Sequence, residues 1–376
     1  MTIKKFYYTL NKDLYNFSYI LNFFLPAYCF IIAYLSGQYE LSAQYSLILG
    51  FNQLILFSIS GHLRNYFLSG SSFSIYSSLT FRIIVSVIFI CFQIYLINFF
   101  ELSFEKYFYI FFIIVINLSW IYEIVISYLE KSSNIYKNLF FLDLFSLIVY
   151  FFIALFNYEL SIYILLIILI KKILILIYTL KIIEKKFRFF KPNRINFNLF
   201  ASTISISFSG FLIRLMITNQ YSFTDAAHYI FAFSVGTLLS TLYVNSLGIN
   251  LIMKRRLYPI YFKIFISLYV LAFFVCILFK IINVNIISNE ILEIWIPTSL
   301  GALILFKSQE IRLKFFVQET FRIKILNKDI LISLIQIFFC YICLIFLNDY
   351  FNYYFLTVSS MSYLIFANLN YVKIKN

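Results

Sequence analysis

The chain has 376 residues, of which 62% are hydrophobic and only 12% are charged, and its mean hydropathy is +0.90. A soluble domain has about 25% charged and about 45–50% apolar residues. The composition therefore excludes an ordinary soluble domain and predicts a membrane protein that crosses the bilayer many times. A net charge of +14 would indicate a nucleic-acid partner in a soluble protein. Here the positions of the charges explain it better, and we expect no nucleic-acid partner.

The beginning of the chain carries Lys4, Lys5 and Lys12 and contains no small-residue cleavage site. We therefore expect no removable signal peptide, and we expect the first apolar segment to remain as a span. All five cysteines lie in apolar segments, including the pair Cys340 and Cys343 in a CxxC spacing. A buried apolar role is favoured for them over redox or metal chemistry, so no cofactor or metal is expected.

Apolar segments of about 20 residues, each long enough to cross a bilayer, recur about twelve times along the chain. Each must be helical, because the bilayer core offers no water to satisfy backbone polar groups. The predicted fold is therefore an all-α integral membrane protein with about 12 transmembrane helices. The predicted spans are 16–36, 45–65, 79–99, 107–128, 139–157, 160–180, 198–218, 229–252, 259–282, 290–309, 329–348 and 351–371.

The basic residues alternate between the two sides of these spans. With a cytoplasmic N-terminus, 27 of the 30 Lys and Arg residues face inward, Lys106 and Lys280 face outward, and Arg214 lies within a span. Cytoplasmic loops carry this excess of positive charge. The alternation predicts an even number of spans with both termini in the cytoplasm.

The most basic stretch, Lys181–Arg194, lies near the midpoint of the chain and is too cationic to lie in hydrocarbon. It predicts a cytoplasmic linker over 181–197. On either side we expect a six-helix bundle, one over 1–180 and the other over 198–376.

The two predicted halves share a short sequence similarity. The second span opens Ala43-Gln-Tyr45 and the eighth opens Ala227-His-Tyr229, 184 residues later. Both follow a short outward loop that begins Gln-Tyr. Halves of six spans have the same orientation, which predicts a pseudo-two-fold axis along the membrane normal with a cavity between them. Chance similarity of two hydrophobic helices is the alternative.

Further stretches carry a resemblance to a known family. They are Gly61-His-Leu-Arg64-Asn65 at the inner end of the second span, and Ser119-Trp120 followed by Tyr128-Leu-Glu-Lys131. Together with the six-plus-six layout and the Ala-x-Tyr openings, they make the chain resemble the Wzx-like O-antigen or polysaccharide repeat-unit flippases. This family belongs to the multidrug/oligosaccharidyl-lipid/polysaccharide exporter superfamily.

The resemblance implies a transporter and not an enzyme. It implies that an undecaprenyl-diphosphate-linked oligosaccharide moves from the cytoplasmic to the outer leaflet, through a central cationic cavity and a V-shaped alternating-access motion. The expected partners are this substrate and membrane lipids. Na+ or H+ is the candidate coupling ion, and the polysaccharide polymerase machinery is a candidate protein partner.

Arg214 is the sharpest candidate for substrate binding. It lies in an apolar run, and a charged residue deep in a span is costly unless it faces a cavity or a partner. Its planar guanidinium would suit a diphosphate, and outward snorkelling is the alternative. The serine-rich run from Ser202 to Ser209 predicts either a polar helix face or close helix packing.

Four residues at the inner ends of spans are further substrate-binding candidates: His62, Arg64, Lys254 and Arg255. Each is positioned to meet a lipid diphosphate that arrives from the cytoplasmic leaflet. The competing interpretation is interfacial anchoring and attraction to anionic lipid headgroups. His228, on the outer side, is favoured as an interfacial polar residue over a proton relay.

Glu123 and Asp143 are carboxylates within the fourth and fifth spans, and we predict ion coupling or gating for them. For Asp143 the alternative is an interfacial cap or an ion pair with Lys137 or Lys131.

Other function classes fit the sequence less well. The chain has no P-loop, no GxSxG and no HExxH motif. A polytopic polysaccharide polymerase or glycosyltransferase usually needs a sizeable outward loop with catalytic Arg or Asp residues, and all predicted outward loops are short. An ion-coupled drug exporter of the same superfamily remains the alternative, although cationic drugs would favour carboxylates over Arg214. A channel or a purely structural membrane protein is a further alternative, and the internal similarity favours a transporter over both.

Overall fold

A computed structural model describes residues 17–60, 75–99, 106–132, 135–183, 194–244, 259–282, 289–316 and 319–375. These residues are helical almost throughout and contain no β-strand, so the all-α prediction is confirmed. Eight of the described helices are long and apolar enough to cross a membrane. The chain is therefore a multi-pass membrane protein, while the count of twelve spans and the symmetry axis stay predictions.

The described residues form two compact units, which the chain enters twice each. The first unit contains 17–52 and 75–183, and the second contains 53–60 and 194–375. The second predicted span, 45–65, is thus divided between the units at Asn52 and Gln53. The helices of the first unit are α1 Phe17–Phe23, α2 Leu25–Leu35, α3 Tyr39–Asn52, α4 Ile75–Phe99, α5 Lys106–Ser132, α6 Ile135–Phe156 and α7 Tyr158–Ile182.

The second unit begins with a π-helical turn, Gln53–Phe57, and a short helical turn, Ser58–Ser60. After the linker it continues with long helices and one 3-10 turn, Asn348–Tyr353. These helices are α8 Arg194–Gln220, α9 Phe223–Leu242, α10 Pro259–Ile282, α11 Asn289–Phe316, α12 Glu319–Phe346 and α13 Tyr354–Lys375.

Local sequence explains where several helices begin and end. The first predicted span is broken at Phe24, because Pro26 stands in the first turn of α2 and cannot continue a preceding helix. α2 ends in a Schellman motif in which Gln38 N–H donates to Ala33 O and Gly37 N–H donates to Tyr34 O. Gly37 has a φ of 79°, which glycine adopts without steric cost.

Both ends of α7 carry residues that stabilise helix termini. Its N-cap is Asn157, whose side chain accepts a hydrogen bond from the Leu160 N–H at 3.1 Å. Glu159 lies in the first turn and Lys181 in the last turn, as the helix dipole favours. α7 has 25 residues, or about 37 Å of helix, which is long enough to cross the hydrocarbon core.

One helix lies at the centre of the packing in each unit. In the first unit α5 contacts each of the other six helices, and 78% of its apolar stretch is buried. In the second unit α11 contacts α9, α10, α12 and α13, and the buried share is 50%. The share is 11–28% in the other six apolar helices, whose outer faces are left for lipid.

Small residues allow close helix packing in the second unit. Gly301 on α11 lies against α13, where an added Cβ would stand 2.8 Å from the Phe355 ring and 2.9 Å from Leu356 Cα. Gly236 on α9 is close to Thr298 of α11, with 3.2 Å for its added Cβ. Such contacts are typical of membrane helices, which associate mainly through packing.

Candidate functional site

Arg214 lies on α8 in the second unit, where its side chain is half-buried. Its Nη1 donates to the Oε1 atom of Gln53 at 3.3 Å, and Gln53 belongs to the π-helical turn that packs against α8. Within the residues that the structure describes, no carboxylate pairs with Arg214. π-Helical turns are often found at functional sites, because they shift the side chains of a helix out of their regular positions.

The other predicted substrate-binding residues, His62, Arg64, Lys254 and Arg255, lie outside the described residues. His228 is described and is half-buried near the start of α9. Of the five predicted substrate-binding residues, the structure therefore describes the surroundings of Arg214.

Glu123 lies on α5 and forms an ion pair with Arg82 of α4. Arg82 Nη1 is 2.7 Å from Glu123 Oε2 and 2.5 Å from the Trp120 carbonyl oxygen, and the guanidinium lies 4.8 Å from the centre of the Trp120 ring. Arg82 is only 1% exposed, and its Nε and Nη2 atoms have no hydrogen-bond partner among the described residues. An ion that binds Glu123 must therefore compete with a buried guanidinium.

Asp143 on α6 pairs with a cation from another helix. Its Oδ1 lies 2.5 Å from Lys171 Nζ of α7, and its Oδ2 accepts from Asn22 Nδ2 of α1 at 2.5 Å. Lys131 and Lys137, the nearer partners considered from the sequence, lie within helices at positions whose side chains are not described. The observed partner, Lys171, is 28 residues away.

Lys172 is a further buried cation beside the Asp143 pair. It is 1% exposed, and its Nζ donates to the Asn22 carbonyl oxygen at 2.9 Å and to Ser119 Oγ at 3.0 Å. It also lies 5.4 Å from the centre of the Tyr122 ring. Among the described residues of this part of the first unit, Lys171 and Lys172 thus both lie near the carboxylate of Asp143.

The serine-rich run on α8 makes polar contacts with α12. Ser202 is fully buried and donates to Asp329 Oδ2 at 3.0 Å, and Ser209 approaches Gln336 Oε1 at 3.4 Å. Asp329 also forms a two-pronged ion pair with Arg312 of α11, with nitrogen–oxygen distances of 2.8 and 2.7 Å. The run therefore provides both a polar face and packing, the two interpretations that the sequence left open.

A cavity of about 350 Å³ lies within the second unit beside this ion pair. We call it the polar cavity. Its apolar lining comes from Ile206, Val244, Leu305, Ile332 and Phe366, and its polar lining comes from Thr237, Ser240, Thr241, Gln309, Arg312, Asp329, Ser333, Gln336 and Ser362.

The cysteine pair of the CxxC spacing is buried on α12. Cys340 is fully buried, Cys343 is nearly so, and neither is in a disulfide. Their environment is the apolar interior of a helix bundle, where a thiol behaves as a small hydrophobic side chain. No cluster of potential metal ligands was found within the described part of the chain.

The sequence singled out the carboxylates Glu123 and Asp143, but it did not show which cations bind them. Arg82, Lys171 and Arg312 were attributed to the inward excess of positive charge, and the structure places each in a buried or half-buried ion pair. For Lys171, the sequence did contain a signal of a buried role, because Lys171 and Lys172 lie inside an apolar stretch. Gln309 and Gln336, which line the polar cavity, were not singled out, although Gln336 stands inside the apolar run of α12 and interrupts it.

No family model, no curated protein and no solved structure matches this chain.

Proposed function

We propose that this protein is a flippase that translocates an undecaprenyl-diphosphate-linked oligosaccharide from the inner to the outer leaflet of the bacterial inner membrane. In this proposal twelve spans form two six-helix halves related by a pseudo-two-fold axis along the membrane normal. The halves rock between inward-open and outward-open states. Both termini lie in the cytoplasm.

The observation that carries the proposal is Arg214. An arginine within a membrane span costs about 2.5–3.5 kcal/mol by insertion scales, so such residues usually face a partner or a polar cavity. Its partner among the described residues is the neutral amide of Gln53, which leaves its charge uncompensated there. A diphosphate supplies that charge, and its paired oxygens match the guanidinium fork.

The helix packing inside each unit, taken separately, supports the six-plus-six arrangement. The fourth predicted span, α5, and the tenth, α11, are the most buried apolar helices among those described. The Ala-x-Tyr similarity likewise joins the second and eighth spans, at Tyr45 and Tyr229. Each of these pairs lies six spans apart, as expected for a parallel repeat.

The drug-exporter alternative is less well supported. A cationic drug needs an accessible carboxylate, and both oxygens of Asp329 in the polar cavity are already bound to Arg312 and Ser202. Glu123 and Asp143 are likewise paired with Arg82 and Lys171. In our proposal Na+ or H+ drives transport by displacing one of these cations. His62, Arg64, Lys254 and Arg255 keep their proposed role at the cytoplasmic entrance.

The test is the fate of lipid-linked oligosaccharide in cells that lack the gene. We would treat spheroplasts with a membrane-impermeant reagent that attacks sugars and then extract the lipids. Complete repeat units that are protected from the reagent, on the cytoplasmic side, are the expected result. Single units that reach the outer side but are not polymerised would indicate a polymerase instead. Normal lipid pools with altered drug sensitivity would indicate a drug exporter.

The role of Arg214 is tested in the same cells. The variant Arg214→Gln should lower the rate of translocation about tenfold to hundredfold, because it removes a charge-assisted contact with the diphosphate. Lys280→Gln is the matched control, since Lys280 is an exposed cation of the second unit paired loosely with Glu293. Both variants must be present in the membrane at the wild-type level. An Arg214→Gln protein that translocates normally would remove Arg214 from the mechanism.

A further inference from the structure

The polar cavity receives its polar side chains in groups from several helices of the second unit. α9 contributes Thr237, Ser240 and Thr241, which are spaced three and four residues apart and so share one helix face. α11 contributes Gln309 and Arg312, and α12 contributes Asp329, Ser333 and Gln336, with the same spacing. Polar side chains within a bundle of apolar membrane helices are costly, so their convergence on one cavity indicates a ligand site.

The hydroxyl groups of the cavity are arranged as hydrogen-bond acceptors. Four of them donate a proton to a carbonyl oxygen three or four residues earlier in the same helix, which leaves the lone pairs of each oxygen for another group. The distances are 3.0 Å for Thr237, 2.8 Å for Ser240, 2.9 Å for Ser333 and 2.9 Å for Ser362. A ligand that offers several O–H or N–H donors would satisfy them.

The ionic groups of the cavity neutralise each other. Arg312 holds Asp329 through two hydrogen bonds, and Ser202 binds the same carboxylate. The charges of the described lining residues therefore cancel, and the cavity suits a neutral polar ligand better than an ion. Ile332 and Phe366 add an apolar surface on the same cavity.

Gln309 is the cavity residue with the most hydrogen-bonding capacity to spare. Its side chain is half-buried and makes no hydrogen bond to any residue that the structure describes. An amide offers two donors and an acceptor with two lone pairs. It can therefore both donate to and accept from a hydroxyl group of a ligand.

We propose that the polar cavity binds part of the sugar of the transported substrate. Sugar rings present several hydroxyl donors around a ring whose C–H faces are apolar, and the cavity combines hydroxyl acceptors, amides and an apolar surface. Its volume of about 350 Å³ lies at the small end of ligand sites, so it holds a short part of a repeat unit. This inference rests on the proposed flippase function.

The cavity and Arg214 lie along the same helix. Ile206 of α8 lines the cavity, and Arg214 stands eight residues later, or about 12 Å along the axis. Ser209, between them, contacts Gln336 of the cavity. One face of the second unit can thus offer separate positions for the sugar and for the diphosphate.

The experiment measures binding of two ligands to the purified full-length protein in detergent. One is the undecaprenyl-diphosphate oligosaccharide extracted from cells that lack the gene, and the other is undecaprenyl diphosphate without sugar. Gln309→Leu should weaken binding of the first about tenfold and leave binding of the second unchanged. Arg214→Gln should weaken both.

Gln220→Leu is the matched control, because Gln220 is an exposed glutamine at the end of α8 away from the cavity lining. Ser362→Ala is the second cavity variant and should act in the same direction as Gln309→Leu. If cavity variants weaken both ligands equally, or neither, while the wild-type protein still translocates its substrate, the sugar site is overturned and the flippase proposal stands. If the wild-type protein binds neither ligand and the cells accumulate no lipid-linked oligosaccharide, both proposals fail.

Discussion

Two ion pairs in the first unit join residues from different helices. Arg82 of α4 binds Glu123 of α5, and Lys171 of α7 binds Asp143 of α6. Burying an ion is costly, and the pair recovers this cost only when both members are present. Each pair therefore fixes which helix faces meet, and removing one member is worse than removing both.

The Arg82 pair gives a test at the residue scale. Glu123→Leu should destabilise the purified protein by about 3–5 kcal/mol, because it leaves a buried guanidinium without its carboxylate. The double variant Arg82→Met with Glu123→Leu should recover most of that loss. Chemical denaturation in detergent, followed by helical circular dichroism, measures both. A double variant as unstable as the single variant would show that the pair makes no such contribution.

The sequence identified Glu123 and Asp143 but not the residues that bind them. A carboxylate in an apolar segment is visible in one sequence because it breaks a run of hydrophobic residues. Its partner is not, because Arg82 is 41 residues from Glu123 and Lys171 is 28 residues from Asp143. The rotation of each helix about its axis decides which cation is reached, and that rotation depends on tertiary packing.

At the scale of the helices, α11 is held closely against α13 through Gly301. The site has no room for a side chain, since backbone atoms of Leu356 lie within 3.0 Å of where a Cβ would stand. Backbone atoms cannot move aside as the end of a flexible side chain can. The contact therefore depends on glycine for its absence of volume and not for a positive φ.

Gly301→Ala should destabilise the protein by about 1–3 kcal/mol, because the added methyl group forces the two helices apart. Gly210→Ala is the matched control. Gly210 lies within α8 with no atom near its would-be Cβ, and alanine is the better helix former there. The same denaturation experiment compares them. Equal stability of the two variants would contradict the close approach of α11 and α13.

The helices were predictable from the sequence, but not all of their interruptions were. Long apolar segments must be helical in a bilayer, so helix is found within each predicted span. The break at Phe24 follows from Pro26, which was available as a signal. The π-helical turn Gln53–Phe57 has no such signal, because an extra residue in one turn is stabilised by the contacts of that turn with α8.

At the scale of the whole molecule, the proposed topology can be mapped directly. We expect cysteines at Asn157 and Ser222 to react with an impermeant maleimide from outside the cell, and cysteines at Lys181 and Lys314 to react after permeabilisation. All four positions are half-buried or exposed at or near helix ends. The five native cysteines are first replaced by alanine. Reaction of Asn157→Cys and Lys181→Cys from the same side would show that α7 does not cross the membrane.

The division of the second span between the two units has a consequence for the integrity of the protein. A cut in the basic linker would produce two fragments, yet the second unit would then lack Gln53–Ser60, which remain on the N-terminal fragment. α8 would lose the segment that packs against it, and Arg214 would lose its contact with Gln53. The C-terminal half of the sequence is therefore not an autonomous module. It needs a segment of the N-terminal fragment, so a gene split at the midpoint must be co-expressed to yield a whole second unit.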